Sequence, residues 1–304
     1  MRKSAYCNSF WLGRYVERAA FVGRLATSHC GSELARSNSF EILVCAIKEA
    51  FLELPPALHS SKPYPELVFR ELVFGKDSSS SVSNCLRSAR LNATQIRDLL
   101  SERQWSALYD AREAIDSIEG MERFSGAVAT AMEVIDERLT LVTCQAGLIL
   151  DGGSIGPTLK LGISIERASQ VMLIVNAWRH TIDDFPSALA AGQRLALEAC
   201  GAEIAYDQFR GSDGVGELGP FDFLLYSDTL NLSVVVSLRT ASECLSRLGF
   251  TGDGVTPCTG VALGAHLDWL RKFLSGKPGE EGGRASLKLV NEVCAQANEL
   301  FCLD

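Results

Sequence analysis

The chain has 304 residues, 47% of them hydrophobic and 22% charged, which is apolar material enough for one large core or two ordinary ones. Its 37 acidic against 29 basic side chains leave a net charge of −8 with no run of lysine and arginine, so the surface repels phosphate backbones and argues against nucleic acid as a partner. No stretch approaches the roughly 18 apolar residues that span a bilayer, and polar Asn8, Ser9, Arg14, Glu17 and Arg18 break up what an export signal would need, so a cytoplasmic protein with no membrane partner is expected.

Ser9 can cap a helix predicted over residues 10–36, with Leu12, Val16, Ala19, Gly23 and Ala26 on one apolar stripe. Arg14 and Arg18 share a flank of that stripe, and Glu17 is spaced to reach Arg14 or Arg24. Gly13 and Gly23 each cost roughly 1 kcal/mol relative to alanine inside a helix, a cost that close helix packing would offset. Ser37-Asn38-Ser39 caps a second helix over 40–54, which Pro55-Pro56 ends; Pro63 and Pro65 mark a further break. Behind Asp77 and the run Ser78 to Ser81, the series Val82, Leu86, Ala89, Ala93, Ile96 and Leu100 predicts one capped amphipathic helix. Ser101 with Gln104 is a capping box for the next helix, through Trp105, Leu108 and Tyr109.

A long helical pattern follows over 122–150, closed by Asp151-Gly152-Gly153-Ser154, a glycine loop that lacks the lysine of a phosphate-binding loop and does not follow a strand. Pro157 suits the first turn of the next helix, which runs to Trp178. That helix carries Leu161-Gly162-Ile163-Ser164-Ile165-Glu166-Arg167-Ala168, a reduced return of Leu12-Gly13-Arg14-Tyr15-Val16-Glu17-Arg18-Ala19. The β-branched run Leu232 to Leu238 would pass for a strand. Laying Ser233-Val234 on Ser81-Val82, however, puts Leu238-Arg239 on Leu86-Arg87, so a helix is expected there, with Asp228 or Asn231 as its cap. A helix over 261–274, a charged loop over 275–283 and a terminal stripe of Leu289, Val293, Ala297 and Leu300 complete the chain. No strand pair joined by a hairpin turn is present. The expected fold is all-α, a multi-helix bundle of two similar halves, 1–150 and 151–304, made by internal duplication and packed as one unit about a pseudo-twofold axis.

The ten cysteines form no C-x-x-C pair and mostly sit in apolar helical patterns, which reads as buried thiols, with only Cys258 in the turn region 251–260 placed to react. His29, His59, His180 and His266 lack metal-ligand spacing, no nucleophile and base can be assembled, and nothing resembles a nucleoside-triphosphate motif, so neither metal nor cofactor is expected. The informative charges are Glu17, Arg18, Glu166 and Arg167, which stand beside apolar residues on helices that bury nearly all round and therefore need partners. With the halves packed antiparallel, Glu17 meets Arg167 and Arg18 meets Glu166 in a symmetric central network. The alternative is a cleft where Arg14, Arg18, Arg87, Arg90 and Arg167, helped by Asn92 and Gln95, grip carboxylates or phosphates with their fork-shaped donors. The residues alone leave both open.

Phe10-Trp11-Leu12-Gly13-Arg14-Tyr15-Val16-Glu17-Arg18-Ala19 resembles the signature of the bacterial alpha-E domain family. So do Ser80-Ser81-Val82 with Leu86-Arg87, Ala89-Arg90 and Asn92-Ala93, then Ile96-Arg97 and Glu102 with Trp105 and Leu108, and later Gly201-Ala202-Glu203 with Ala205-Tyr206. Departures from the pattern fall at Ala20, Ser78-Ser79, Leu91, Gly156-Pro157 and Ile163, the last standing where the motif has an arginine. The resemblance implies an all-helical protein that accompanies a circularly permuted ATP-grasp amide ligase, often with a transglutaminase-like cysteine protease, in making or processing an amide-linked peptide or metabolite. It directs attention to Arg14, Glu17, Arg18, Glu166 and Arg167, with Arg87, Arg90 and Asn92. The leading expectation is a non-catalytic partner that binds the ligase or its anionic substrate through the Arg14, Arg18, Arg87 and Arg90 face. An enzyme of amide or peptide chemistry using Glu17 or Glu166 as general base, and a purely structural helical scaffold, are the alternatives. A homo-oligomer is compatible with each.

Overall fold

Among the described residues two helices, of 29 and 30 residues, are much longer than the others, and the remaining elements are laid against them. The computed structural model describes residues 2–30, 65–121, 126–145, 155–184, 189–211 and 218–249, together with Glu292, Val293, Ala295, Ala297 and Phe301. In chain order the helices are α1 (Arg2–Cys30), α2 (Pro65–Phe74), α3 (Val82–Gln95), α4 (Glu102–Ser117), α5 (Gly126–Cys144), α6 (Ile155–Asp184), α7 (Leu189–Cys200), α8 (Glu203–Gly211), α9 (Pro220–Tyr226) and α10 (Val234–Arg247). No strand occurs among the described residues, so the chain is all-α. The run Leu232 to Leu238 is helical from Val234 onward, because burial of Val234, Val235 and Leu238 on one face outweighs β-branched propensity.

Local signals decide several helix ends. Ser81 accepts the Asn84 amide at 3.3 Å, while Ser101 and Gln104 exchange bonds between side chain and backbone at 3.1 Å each, completing the expected capping box. Ser233, rather than Asp228 or Asn231, caps α10: its hydroxyl accepts from Val236 N at 3.2 Å and donates to the Ser227 carbonyl at 2.6 Å.

Three other starts and stops differ from expectation. Helix α1 begins at Arg2, and Ser9 is a fully buried interior residue whose hydroxyl donates back to the Ala5 carbonyl at 2.8 Å. Pro65 opens α2 instead of marking a break, since the first turn of a helix needs no N–H there, and Val68, Phe69, Leu72 and Val73 bury the face behind it. The Val82 to Leu100 series is not one helix: α3 stops at Gln95 and a 3₁₀ turn, Arg97–Leu99, returns Leu100 to the core. The helices expected over 40–54 and 261–274, the glycine loop 151–154, and Cys258 lie outside the described residues.

Helix α1 is the hub. It packs along α6 and also touches α2, α3, α5 and α7, while α10 packs on α6 and α4 pairs with α5. Large side chains such as Phe10, Trp178 and Phe223 are shut from solvent, each worth about 1.5–3 kcal/mol of burial, and Phe301 stacks on Phe10 with ring centroids 4.5 Å apart. Among the described residues no helix is long and apolar enough to cross a membrane.

Candidate functional site

The site lies where α1 and α6 touch. Their two glycines make the contact: a Cβ on Gly13 would lie 2.3 Å from the Leu159 carbonyl oxygen, and one on Gly162 would lie 2.1 Å from that of Phe10. Each helix therefore presents bare backbone to the other, which is the close packing that offsets two helical glycines. The same contacts set direction. Phe10 lies by Gly162, and Glu17 and Arg18, about two turns further along α1, lie by Arg167 and Glu166, further along α6, so the helices run in the same sense. The antiparallel packing expected from sequence is thereby corrected. Gly precedes Glu-Arg by the same spacing in both motifs, so an antiparallel crossing with glycine on glycine would carry the charges to opposite ends.

The expected pairs themselves form, and they are reciprocal. Arg18 grips Glu166 with Nε on Oε1 at 2.6 Å and Nη2 on Oε2 at 3.0 Å; Arg167 grips Glu17 with the same two nitrogens, at 2.8 Å each. These are forked, charge-assisted hydrogen bonds, the strongest geometry available to an ion pair. Arg14 is also consumed here: it donates through Nε to Glu166 Oε2 at 2.6 Å, is itself 5% exposed, and lies against the rings of Phe10 and Trp11. Gln170, which sequence reading missed, donates to Glu166 Oε1 at 2.9 Å. Its position one turn after Glu166 was the available signal. Glu166 thus accepts two bonds on each oxygen, filling all four of its acceptor positions.

Burial would raise the Glu166 carboxyl, but the attraction of Arg14 and Arg18 and their hydrogen bonds overcome it and hold the group at about 2, well below its ordinary 4.5. Burial likewise works against charge on Arg18 and Arg167, yet Glu166 and Glu17 respectively push both upward. A folded value below the unfolded one means that the Glu166 contribution, on the order of 3 kcal/mol, is complete above about pH 4.5 and is lost as pH falls towards 2. Urea unfolding across that range should show wild type and Glu166→Gln converging as the acid limit is approached. A gap that stays constant from pH 5 to about pH 2 would contradict the assignment.

The other candidate positions are elsewhere. Arg87 and Arg90 are exposed on the outer side of α3, away from the buried Arg14, and Asn92 donates to the Ser88 carbonyl in its own helix at 2.8 Å. Arg90 lies over the Tyr109 ring at 5.4 Å and Arg97 over Trp105 at 4.9 Å, so these guanidinium groups hold α3 and the turn after it against α4. The structure therefore divides the five-arginine cleft: Arg14, Arg18 and Arg167 face carboxylates inside, while Arg87 and Arg90 face out. Arg24 does not reach Glu17. It pairs with Asp136 of α5 at 2.6 Å and donates to the Ala199 carbonyl at the C-terminal end of α7 at 3.1 Å, where a cation is favoured by the helix dipole.

Burial pushes the Cys85 and Cys200 thiols up to about 12, so neither is a reactive group. Cys144 departs from the expectation of burial and is exposed near the end of α5. Native alkylation followed by mass mapping should label Cys144 at least about tenfold faster than Cys85 or Cys200. Equal rates would refute this placement. No group of His, Cys, Asp and Glu among the described residues could hold a metal.

An all-helical bundle whose two longest helices cross on glycine and are clamped by reciprocal Glu-Arg pairs defines a class by its motif rather than by a reaction centre. The chain belongs to the Alpha-E family, described as a predicted alpha-helical domain with a conserved ER motif, whose model matches residues 5–271 and so takes in both pairs. No curated protein and no solved structure matches the chain.

Proposed function

We propose that this chain is a non-catalytic helical partner of an ATP-grasp amide ligase in peptide or amide-metabolite synthesis, working in the cytoplasm beside a transglutaminase-like protease. The observation that carries the non-catalytic reading is the state of the motif carboxylates. A general base needs an open lone pair and an affinity for protons near the working pH. Glu166 has four donors on its two oxygens and is held at about 2, and Glu17 is gripped by both prongs of Arg167. The motif is spent on architecture, and of the five candidate arginines Arg87 and Arg90 on α3 are the two left exposed to an acidic partner. The reading of two duplicated halves is supported by the reciprocal contacts of α1 and α6 and by α3 and α10 packing on them in turn.

The test is affinity capture of the tagged full chain from native lysate, with recovered proteins identified by mass spectrometry. An ATP-grasp ligase should be recovered with wild type and lost with Arg87→Glu/Arg90→Glu, which should stay folded with a melting temperature only about 1–2 °C lower, the cost of removing Arg90 from the Tyr109 ring. Recovery of no ligase counts against the proposal. Ligase product formation that collapses with a folded Glu17→Gln protein would favour the enzymatic alternative.

A further inference from the structure

Two surfaces of this chain are complementary to each other. The first is a ridge on α3, where Leu91 is 63% exposed between Arg87 and Thr94, with Arg90 beside it. Arg90 is braced over Tyr109, itself 44% exposed, and neither Arg87 nor Arg90 has a carboxylate partner among the described residues. The ridge thus carries an apolar side chain between two cations on a chain of net charge −8.

The second surface is a cleft of about 480 Å³ between α1 and α5, open to solvent. Its floor is apolar and built from Ala19, Gly23, Met132 and Ile135; Glu133 and Glu137 stand exposed on its rim. Asp136, also in the wall, is neutralised by Arg24, which leaves the two glutamates as the charges facing outward. Neither of them has a cationic partner among the described residues.

We propose that the α3 ridge of one copy seats in the α1–α5 cleft of a second copy, with Leu91 on the apolar floor and Arg87 and Arg90 paired with Glu133 and Glu137. This rests on reading the α3 ridge as a docking surface and names what it meets when purified alone. The spacings suit helix-on-helix docking: at 1.5 Å per residue the arginines are about 4.5 Å apart along α3 and the glutamates about 6 Å apart along α5, a mismatch that long side chains absorb. The cleft takes in more than a leucine, which gives the flanking arginine stems room as well. Overall repulsion between acidic copies disfavours self-contact in general, and the opposite charges of ridge and cleft offset it where these two surfaces meet. Because the two surfaces differ, the contact is head-to-tail, and in a pair one copy keeps its cleft and the other its ridge for the next copy.

Sedimentation velocity on the full chain tests this. Wild type should show a weight-average mass that rises with concentration at low salt and falls back as salt is added. Leu91→Asp, which spoils only the ridge, and Glu133→Arg/Glu137→Arg, which spoils only the cleft, should each associate at least about tenfold more weakly. Mixed together, the two variants should form a 1:1 dimer that grows no further, since one intact ridge and one intact cleft remain. Wild type that stays monomeric up to about 1 mM, association indifferent to Leu91→Asp, or a mixture that fails to pair overturns the proposal. No ligase is present in the experiment, so a failed ligase capture does not touch it. Monomeric wild type whose ligase binding is still lost with Arg87→Glu/Arg90→Glu defeats self-association alone.

Discussion

Glu166→Gln should lower the unfolding free energy at neutral pH by about 3–5 kcal/mol, the cost of leaving buried charge without its counterion. For a chain of 304 residues that corresponds to a fall in melting temperature of about 5–8 °C. The magnitude follows from what Glu166 holds: Arg14 at 2.6 Å and Arg18 in a two-point fork, with side chains 6% and 19% exposed. Glutamine keeps the shape but loses the charge, and its NH₂ would face a guanidinium. Replacing all three residues by leucine should recover most of the loss, because a fully apolar contact has no uncompensated charge to bury. Urea unfolding of the single and triple variants checks both statements. A Glu166→Gln protein within 1 kcal/mol of wild type would mean that the network carries no such weight.

The second large effect is steric. Gly162→Ala should destabilise by about 3 kcal/mol or more, beyond ordinary overpacking, although alanine is the better helix former by about 1 kcal/mol. The added Cβ would sit 2.1 Å from the Phe10 carbonyl oxygen and 3.3 Å from Arg14 N, and both are backbone atoms of a helix that cannot step aside. Relief requires α1 and α6 to separate, which lengthens the Arg18–Glu166 and Arg167–Glu17 forks together. Gly126→Ala is the matched control, since nothing lies within 4 Å of its Cβ. It should be neutral or slightly stabilising. Gly162→Ala and Glu166→Gln share one interface, so their effects should fall short of additive in a double-mutant cycle. Strict additivity would show that the glycine contact and the charge network are separate structures.

These two effects also separate what sequence can carry from what it cannot. Helix ends governed by residues three or four apart, such as Ser81 with Asn84 and Ser101 with Gln104, were legible because the whole interaction is local. Ser9 misled because a serine hydroxyl can cap a helix from outside or bond back to the carbonyl one turn earlier, and residues 2–8, which decide between them, carry no strong periodicity. Pro65 misled for a related reason: proline ends one helix and opens another equally well. Arg87 and Arg90 could have been placed outward from the stripe of Val82, Leu86, Ala89 and Ala93 that α3 buries. Arg14 and Arg18 could not. They lie off the α1 stripe just as clearly, yet neighbours on nearly every side turn that flank inward.

The sequence by itself determined the all-helical fold, the repeated Gly-x-x-x-Glu-Arg-Ala and the need of its charges for partners, since periodicity, capping and the cost of an unpaired buried ion are properties of residue type and spacing. It also supplied the correct pairs, Glu17 with Arg167 and Arg18 with Glu166. Only the tertiary structure decided that α1 and α6 run in the same sense and that Arg14, whose counterpart is Ile163, belongs inside the network rather than on a binding face. The physical reason is common to both. Each depends on the distance between groups about 150 residues apart, and no spacing along the chain encodes that distance until two bare glycine backbones meet.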